Sequence, residues 1–146
     1  MKIIIEEKQS EEEEDTIIVR CSSLNDSIIK LLQQLKAKDD LLIGSKDGMI
    51  SRIKPQDVYY FEAVDNKVFL YTKQEVYEIK QKLYEIEEHY KGMDYFRVSK
   101  SVILNLNKVK HLSPVLGSRL EATLINDEKI MISRQYVSAL KVLLGI

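Results

Sequence analysis

The hydrophobic positions of this chain recur mostly with the two-residue period of β-strands, in short segments separated by turn residues. One turn signal, the pair Asp47-Gly48, is typical of a two-residue hairpin loop. The pattern predicts short strands at Leu41–Ser45, Met49–Ile53, Val58–Ala63, Lys67–Thr72, Glu75–Tyr77, Phe96–Ser99, Val102–Asn105, Val109–Ser113, Leu120–Ile125 and Lys129–Ile132. Many short strands with few helices predict a β-rich α+β protein.

Three segments instead have the spacing of an amphipathic helix. The first, 25–38, has Asn25 or Asp26 as its N-cap; the second is 78–90, and the third follows Ser133. We expect the first apolar stripe to pack in the core of its own protomer, with packing against a second copy as the alternative. The inward-facing positions are predicted to be Ile28, Leu31, Leu32 and Leu35, then Ile79, Leu83, Ile86 and Tyr90, then Tyr136, Val137, Leu140, Leu143 and Leu144.

The first part of the chain is predicted to form a strand-strand-helix-strand extension, residues 1–45, beside a main domain, residues 46–146. The β-branched runs Lys2–Lys8 and Thr16–Cys21 predict two strands. Five consecutive acids, Glu11–Asp15, repel one another and predict an exposed loop between these strands. The two strands are therefore expected to pair as an antiparallel hairpin, and the extension is a candidate dimer contact.

The net charge of -1 hides an uneven distribution. Residues 1–50 carry seven Lys/Arg against eleven Asp/Glu, whereas residues 51–146 carry fifteen against twelve. From Tyr95 to Ile146 the excess is larger, with eight Lys/Arg against three Asp/Glu. This local excess of positive charge indicates one face that binds a polyanion.

Catalysis and cofactor binding are not indicated. The chain has two histidines, five glycines and one cysteine, and none of the spacings of HExxH, CxxC, GxSxG, P-loop or GxGxxG motifs occurs. We therefore expect no enzyme activity, no metal, no cofactor and no small-molecule substrate. The single cysteine fits a reducing compartment, and no apolar run approaches the roughly 20 residues of a membrane span. The predicted location is cytoplasmic.

Two basic residues occupy positions that favour contact with nucleic acid. Lys100 lies between Ser99 and Ser101, where one predicted strand gives way to the next, and turns direct side chains outward. Arg134 follows Ser133 at the start of the third helix, where a helix N-terminus favours phosphate oxygens. Arginine is also the side chain best suited to a bidentate hydrogen bond with guanine O6 and N7.

The segments DVYYFEAVDNKVFLYT, FRVSKSVILNLNKVKHL and ISRQYVSALKVLL, in this order, resemble the LytTR-type DNA-binding domains of bacterial regulators, the LytR/AlgR family. The resemblance runs from about Ile50 to Leu144. It implies an elongated stack of short antiparallel sheets with flanking helices, whose sheet-edge loops enter the major groove of double-stranded DNA. Ser99 stands where the family commonly has His. The DNA-contacting positions carried over by motif are Asn66, Lys67, Arg97, Ser99, Lys100, Ser101, Arg134 and Gln135.

No segment has the alternating βα units and acidic pocket of a receiver domain, so the chain is similar to stand-alone regulators of this family. That similarity implies a homodimer on repeated half-sites, and for some members a membrane-protein partner that restrains them. Two other functions remain open at this point. One is a protein-interaction adaptor that uses the fold without DNA, with its acidic N-terminal region as the working surface. The other is an RNA-binding antiterminator.

Overall fold

The computed structural model describes residues 2–146, and for residues 37–39 it describes the backbone without the side chains. None of the helices among these residues has the length and apolar character needed to cross a membrane. The helices and strands, in chain order, are α1 (Asp26–Asp39), β1 (Leu42–Lys46), β2 (Met49–Ile53), β3 (Tyr60–Val64), β4 (Lys67–Tyr71), β5 (Val76–Ile79), α2 (Leu83–His89), β6 (Tyr95–Arg97), β7 (Val102–Asn105), β8 (Val109–Val115), β9 (Arg119–Leu124), β10 (Lys129–Ile132) and α3 (Arg134–Leu144).

Seven strands form one antiparallel sheet in the order β2-β1-β5-β4-β3-β7-β6. One face of this sheet packs against α2. Phe61, Val68, Leu70 and Ile79 of β3, β4 and β5 point to this face, and their neighbours along each strand point to the other face. The buried side chains of this core include Phe61, Leu70, Ile79, Ile86 and Tyr90. The predicted stripe of the second helix is therefore buried.

The other face of the large sheet packs against a three-stranded antiparallel sheet, β10-β9-β8, and against α3. Leu104, Leu124, Ile132 and Leu140 are fully buried between these layers. The polar residue Asn105 is also buried, and its Nδ2 donates a hydrogen bond to the Val58 carbonyl oxygen at 2.8 Å. The β-rich α+β prediction is confirmed.

Helix α2 is shorter than predicted. It begins at Leu83 rather than near Glu78, because Glu78 and Ile79 complete strand β5 and pair with Phe69 and Val68 of β4. Ile79 is buried as predicted, but it belongs to strand β5 and not to the helix. Where a helix closely follows a strand, one buried residue is compatible with both the two-residue period of a strand and the 3.6-residue period of a helix.

The predicted N-terminal hairpin is wrong. Residues 2–25 contain no strand, and the isoleucines of both segments are exposed. Two strands on their own are marginally stable, since a third strand or a helix is needed to cover their apolar face. The acids at 11–15 also repel one another beside this turn. The segment therefore has strand-forming residues but no ladder partner within the chain.

The apolar faces of α1 and α3 are only partly covered. The Asn25 cap of α1 is confirmed, since its Oδ1 accepts a hydrogen bond from the Ile28 N–H at 3.0 Å. Leu31 and Leu32, predicted to lie in the core, are exposed, whereas Ile28 and Leu35 are half-buried. Gln34 fastens the helix by donating from Nε2 to the Gly92 carbonyl oxygen at 2.6 Å. On α3 the predicted inward positions that are exposed are Leu143 and Leu144.

Candidate nucleic-acid interface

Three of the predicted binding segments meet at one end of the large sheet. Strand β3 runs antiparallel to both β4 and β7, so the β3–β4 turn and the loop before β7 lie at the same end. The Ala63 N–H donates to the Ser101 carbonyl oxygen at 2.8 Å, which joins these two segments. The Ser133 N–H donates to the Val98 carbonyl oxygen at 2.8 Å, which joins the start of α3 to the same loop. We call residues 65–67, 98–101 and 133–135 together the loop edge.

The β3–β4 turn directs two of its residues into solvent. Asp65 and Asn66 both have positive φ, 51° and 64°, the conformation of the tight hairpin turn that matches strand twist. Aspartate and asparagine are among the side chains that tolerate this region. Lys67 follows as the first residue of β4 and is exposed, with its Nζ 4.0 Å from Oε1 of Glu78.

The loop at 98–101 is held in shape by Arg97 at its base. The Arg97 guanidinium donates from Nε to the Ser99 carbonyl oxygen at 2.9 Å and from Nη2 to the Lys100 carbonyl oxygen. Its Nη1 also lies 3.8 Å from Oε2 of Glu87, and the side chain is 22% exposed. Both of these hydrogen bonds of Arg97 are directed at the loop's own backbone, so Arg97 is a positioning residue in this geometry.

The two serines of the loop form an internal pair, while the lysine between them is free to extend outward. The Ser101 N–H donates to Ser99 Oγ at 3.3 Å, and the two hydroxyl oxygens lie 3.5 Å apart. Val98 anchors the loop because its side chain is fully buried in the core between the two sheets, which we call the second core. Lys100 is exposed. The loop thus presents the charge of Lys100 on a backbone that Arg97 and Val98 hold in place.

The start of α3 places a second cation beside that loop. Ser133 occupies the N-cap position with extended backbone, φ -65° and ψ 144°, but its side chain makes no capping hydrogen bond. The first N–H groups of α3 therefore remain available, and the partial positive charge of a helix N-terminus adds to that of Arg134. Arg134 and Gln135 are both exposed.

Among the three cations of the loop edge, Lys67 lies 4.0 Å from the Glu78 carboxylate, whereas the other two have no such partner among the described residues. Within residues 2–146, Lys100 and Arg134 take part in no salt bridge. By contrast, Lys110 and Lys129, on the small sheet, lie 3.5 Å and 3.8 Å from carboxylates. An unpaired surface cation keeps its full charge for an anionic partner, whereas a paired one must first give up its carboxylate.

Sequence reasoning missed three basic residues at this end of the molecule. Lys80 and Lys82 follow β5, and Lys82 Nζ donates to the Asn66 carbonyl oxygen at 3.4 Å, so this segment borders the β3–β4 turn. Arg119 lies one position beyond the last pair between β9 and β10, next to Ser133. The available signal was the Lys-x-Lys spacing between a strand and a helix, which was obscured because the segment was predicted to be helical.

The tyrosines do not form a surface for base stacking. Tyr60 and Tyr71 stack on each other with ring centroids 4.2 Å apart, inside the second core and its margin. Burial raises the pKa of the Tyr71 hydroxyl, which also donates to Glu62 Oε1 at 3.1 Å. Tyr84, on α2, is the one exposed tyrosine of the described chain, so no cluster of exposed rings forms. This arrangement disfavours recognition of unstacked single strands.

Comparison with known proteins identifies the family of the domain that carries this edge. The profile of the family described as "LytTr DNA-binding domain" matches residues 48–145. "Sensory transduction protein LytT" of Enterococcus faecalis is 24% identical over 141 residues, which cover 95% of this chain and 58% of that protein. An uncharacterized HTH-type transcriptional regulator of Staphylococcus aureus strain MSSA476 is 28% identical over 140 residues, 94% of each chain. The chain thus spans a little over half of the Enterococcus protein but nearly all of the staphylococcal one.

A solved structure has the same fold. It is the LytTr DNA-binding domain of a methyl-accepting/DNA response regulator from Bacillus cereus, which superposes with a TM-score of 0.70 at 24% identity. The match covers 74% of this chain and 99% of that one. The family profile spans both sheets from β2 onward and α3, including every segment of the loop edge. The chain therefore belongs to the LytTr DNA-binding domain family.

Proposed function

We propose that this protein is a sequence-specific, double-stranded-DNA-binding transcription regulator whose loop edge enters the major groove. The observation that carries the proposal is the convergence of three segments, tied together by backbone hydrogen bonds, with two unpaired cations on them. A groove about 12 Å wide admits such protruding turns as readily as it admits a helix. The family membership gives the fold a precedent for this use.

The contacts divide into two kinds in this proposal. Lys100 and Arg134 approach base edges, each contributing about 1–3 kcal/mol of discrimination where the hydrogen bonds are bidentate. Asn66, Lys67 and Gln135 contact phosphates or base edges at the margin. Their neighbours Lys80, Lys82 and Arg119 widen the positive surface and contact phosphates only. Ser99, Ser101 and Arg97 hold the loop that carries Lys100.

We infer further that the protein binds repeated half-sites as a homodimer. A single loop edge reads only a few base pairs, and two copies on one duplex multiply the specificity without new contacts. Residues 2–45 form α1 and most of β1 and contain none of the alternating βα units of a receiver. A cytoplasmic location and a restraining membrane-protein partner stay predictions.

The test is selection of duplexes from a random pool with the purified full chain, followed by affinity measurements on a recovered duplex. We expect enrichment of a defined sequence and an affinity that falls steeply with salt, because neutralised phosphates release counterions. Arg134→Ala is expected to weaken binding by about 10-fold or more and to relax preference at one base pair. Lys110→Ala, which removes the same charge from an ion pair outside the loop edge, is the matched control and is expected to change affinity less than about twofold.

Two other outcomes would support other functions. A chain that enriches no duplex and flows through immobilised DNA at low salt would contradict the proposal and favour the protein-interaction adaptor. A chain that prefers an RNA hairpin in competition with duplex DNA would favour the antiterminator. If Arg134→Ala left both affinity and base preference intact while the wild type bound specifically, the proposal would stand and the readout would move to other residues.

A further inference from the structure

The described surface is larger than a compact monomer of this size requires. The accessible area is 11083 Å². The scaling of folded monomers gives about 7,700 Å² for a mass of 17.0 kDa. The difference, roughly 3,400 Å², exceeds the roughly 800 Å² that each partner buries in a standard interface. The chain therefore exposes enough area for a large contact.

Much of the excess lies in residues 2–24, where every residue except the half-buried Val19 is exposed. Five isoleucines, at 3–5 and 17–18, are between 68% and 87% exposed. We call residues 3–5 and 17–19 the two arms. Single exposed apolar residues are ordinary on a monomer, but two runs of β-branched residues separated by one loop are not.

The arms are joined by a tethered loop but have no strand partner. Lys8 Nζ lies 2.9 Å from Oδ1 of Asp15 and donates to the Glu13 carbonyl oxygen at 3.3 Å, which brings together the two sides of the acidic loop. Beyond this tether, residues 2–8 and 16–21 form no ladder. Their backbone N–H and C=O groups are therefore available for pairing with another strand.

The outer face of α1 continues this exposed apolar surface along the chain. Leu31 and Leu32 are exposed, whereas Gln34 fastens the helix to the domain. A surface helix normally turns its apolar residues inward. Here Gln34 makes a polar contact with the domain while Leu31 and Leu32 stay exposed, so α1 presents large aliphatic residues outward.

We propose that a second copy of this chain covers the arms and the outer face of α1. Two arms are too few for a stable sheet, but the four arms of two copies, with two α1 faces packed on them, meet the requirement for at least three strands and a covered apolar face. Pairing about a two-fold axis satisfies both copies equally. An antiparallel arrangement also places the two acidic loops, residues 11–15, at opposite ends of the paired strands, which avoids repulsion between them.

This inference supplies the interface of the homodimer proposed above, and its test does not involve DNA. Sedimentation equilibrium of the full chain is expected to give twice the 17.0 kDa monomer mass. Changing Ile4 and Ile18 together to Asp is expected to raise the dimer dissociation constant by roughly 100-fold or more, because each dimer then places four charges at an apolar centre. Val142→Asp is the matched control, since Val142 is 80% exposed on α3 and belongs to the other exposed apolar patch. It is expected to remain dimeric.

A second measurement keeps the test independent of the variants. Cys21 is the single cysteine of the chain, is exposed and lies at the end of one arm. A spin label on Cys21 is expected to give one short, well-defined distance between labels in the wild type and none in the double-Asp variant. Circular dichroism checks that both variants retain the fold.

Several results would overturn the interface. One is a wild-type chain that is monomeric. This result would overturn the interface both if the arms exchange their amide hydrogens freely and if they pair with the exposed edge strand β2 of the same chain. Another is dissociation by Val142→Asp with the double-Asp variant still dimeric. A dimer that binds no DNA would refute the proposed function and leave the interface standing. A monomer that binds DNA specifically would do the reverse.

Discussion

Replacement of Arg97 distinguishes a residue that shapes the binding loop from one that contacts DNA. Arg97→Ala removes two hydrogen bonds to the carbonyl oxygens of Ser99 and Lys100 and an ion pair with Glu87. Arg97→Lys keeps the positive charge, but an ammonium group lacks the planar fork that reaches both carbonyls. The two variants therefore separate the role of the charge from the role of the geometry.

The expected magnitudes follow from these contacts. Hydrogen bonds from charged donors contribute about 1.5–3 kcal/mol when buried, and we take about 1 kcal/mol each because water reaches part of this loop. The ion pair with Glu87, which is half-exposed, adds at most about 0.5 kcal/mol. Arg97→Ala is thus expected to loosen the loop by about 2 kcal/mol and Arg97→Lys by about 1 kcal/mol. If only the ordered loop binds, affinity falls by at most about 30-fold and about fivefold, respectively.

The assay is fluorescence anisotropy on a duplex recovered by selection, repeated at several salt concentrations. Urea unfolding is followed in parallel by circular dichroism, because the chain has no tryptophan. Both variants should lose affinity while keeping the wild-type salt slope. A direct phosphate contact by Arg97 would instead lower the slope of the Ala variant by about 0.9 and leave the Lys variant close to wild type. That second pattern would refute the positioning role.

Three further predictions concern stability, each measured by urea unfolding. Tyr90→Phe should leave stability unchanged or raise it by about 1 kcal/mol, since the Tyr90 hydroxyl is buried without a hydrogen-bond partner in the described part of the chain; a clear loss would indicate a bound water. Burial also raises the pKa of Tyr90 from 10.0 to about 12, so above pH 10 the folded state keeps a proton that the unfolded state releases. The free energy of unfolding should therefore fall between pH 10 and pH 12, and it should fall less steeply in Tyr90→Phe. Asn105→Ala should cost about 2–3 kcal/mol because the buried Val58 carbonyl loses its donor, and a cost below about 0.5 kcal/mol would contradict that account.

The strands and turns of the two sheets were predictable because their signals are local. Short apolar and aromatic runs in β3, β4 and β7 and the turn residues between them define both the strands and the positions that protrude at their ends. Lys100 and Arg134 were identified as candidates in the same way, since each lies at a break between predicted segments. The hydrogen bond that joins Ser133 to Val98 was not predictable, because it depends on how the small sheet docks on the large one.

The N-terminal segment was mispredicted for a physical reason. Strand propensity measures how well a side chain fits beside neighbouring strands, so the isoleucines of the arms predict a strand only where a neighbour exists. The described chain supplies none. The outward apolar face of α1 was missed similarly, because helical spacing identifies an apolar stripe without identifying what covers it.

The attachment of the β3–β4 turn, the 98–101 loop and the start of α3 to separate strand ends has an evolutionary consequence. Each protruding residue stands outside both hydrophobic cores, so its replacement leaves the interior packing undisturbed. A recognition helix, by contrast, carries its DNA-contacting residues and its core-packing residues on the same rigid element. Relatives that share this scaffold can therefore change the contact residues of one loop without changing those of the others. Single substitutions that the fold tolerates are then enough to alter promoter preference.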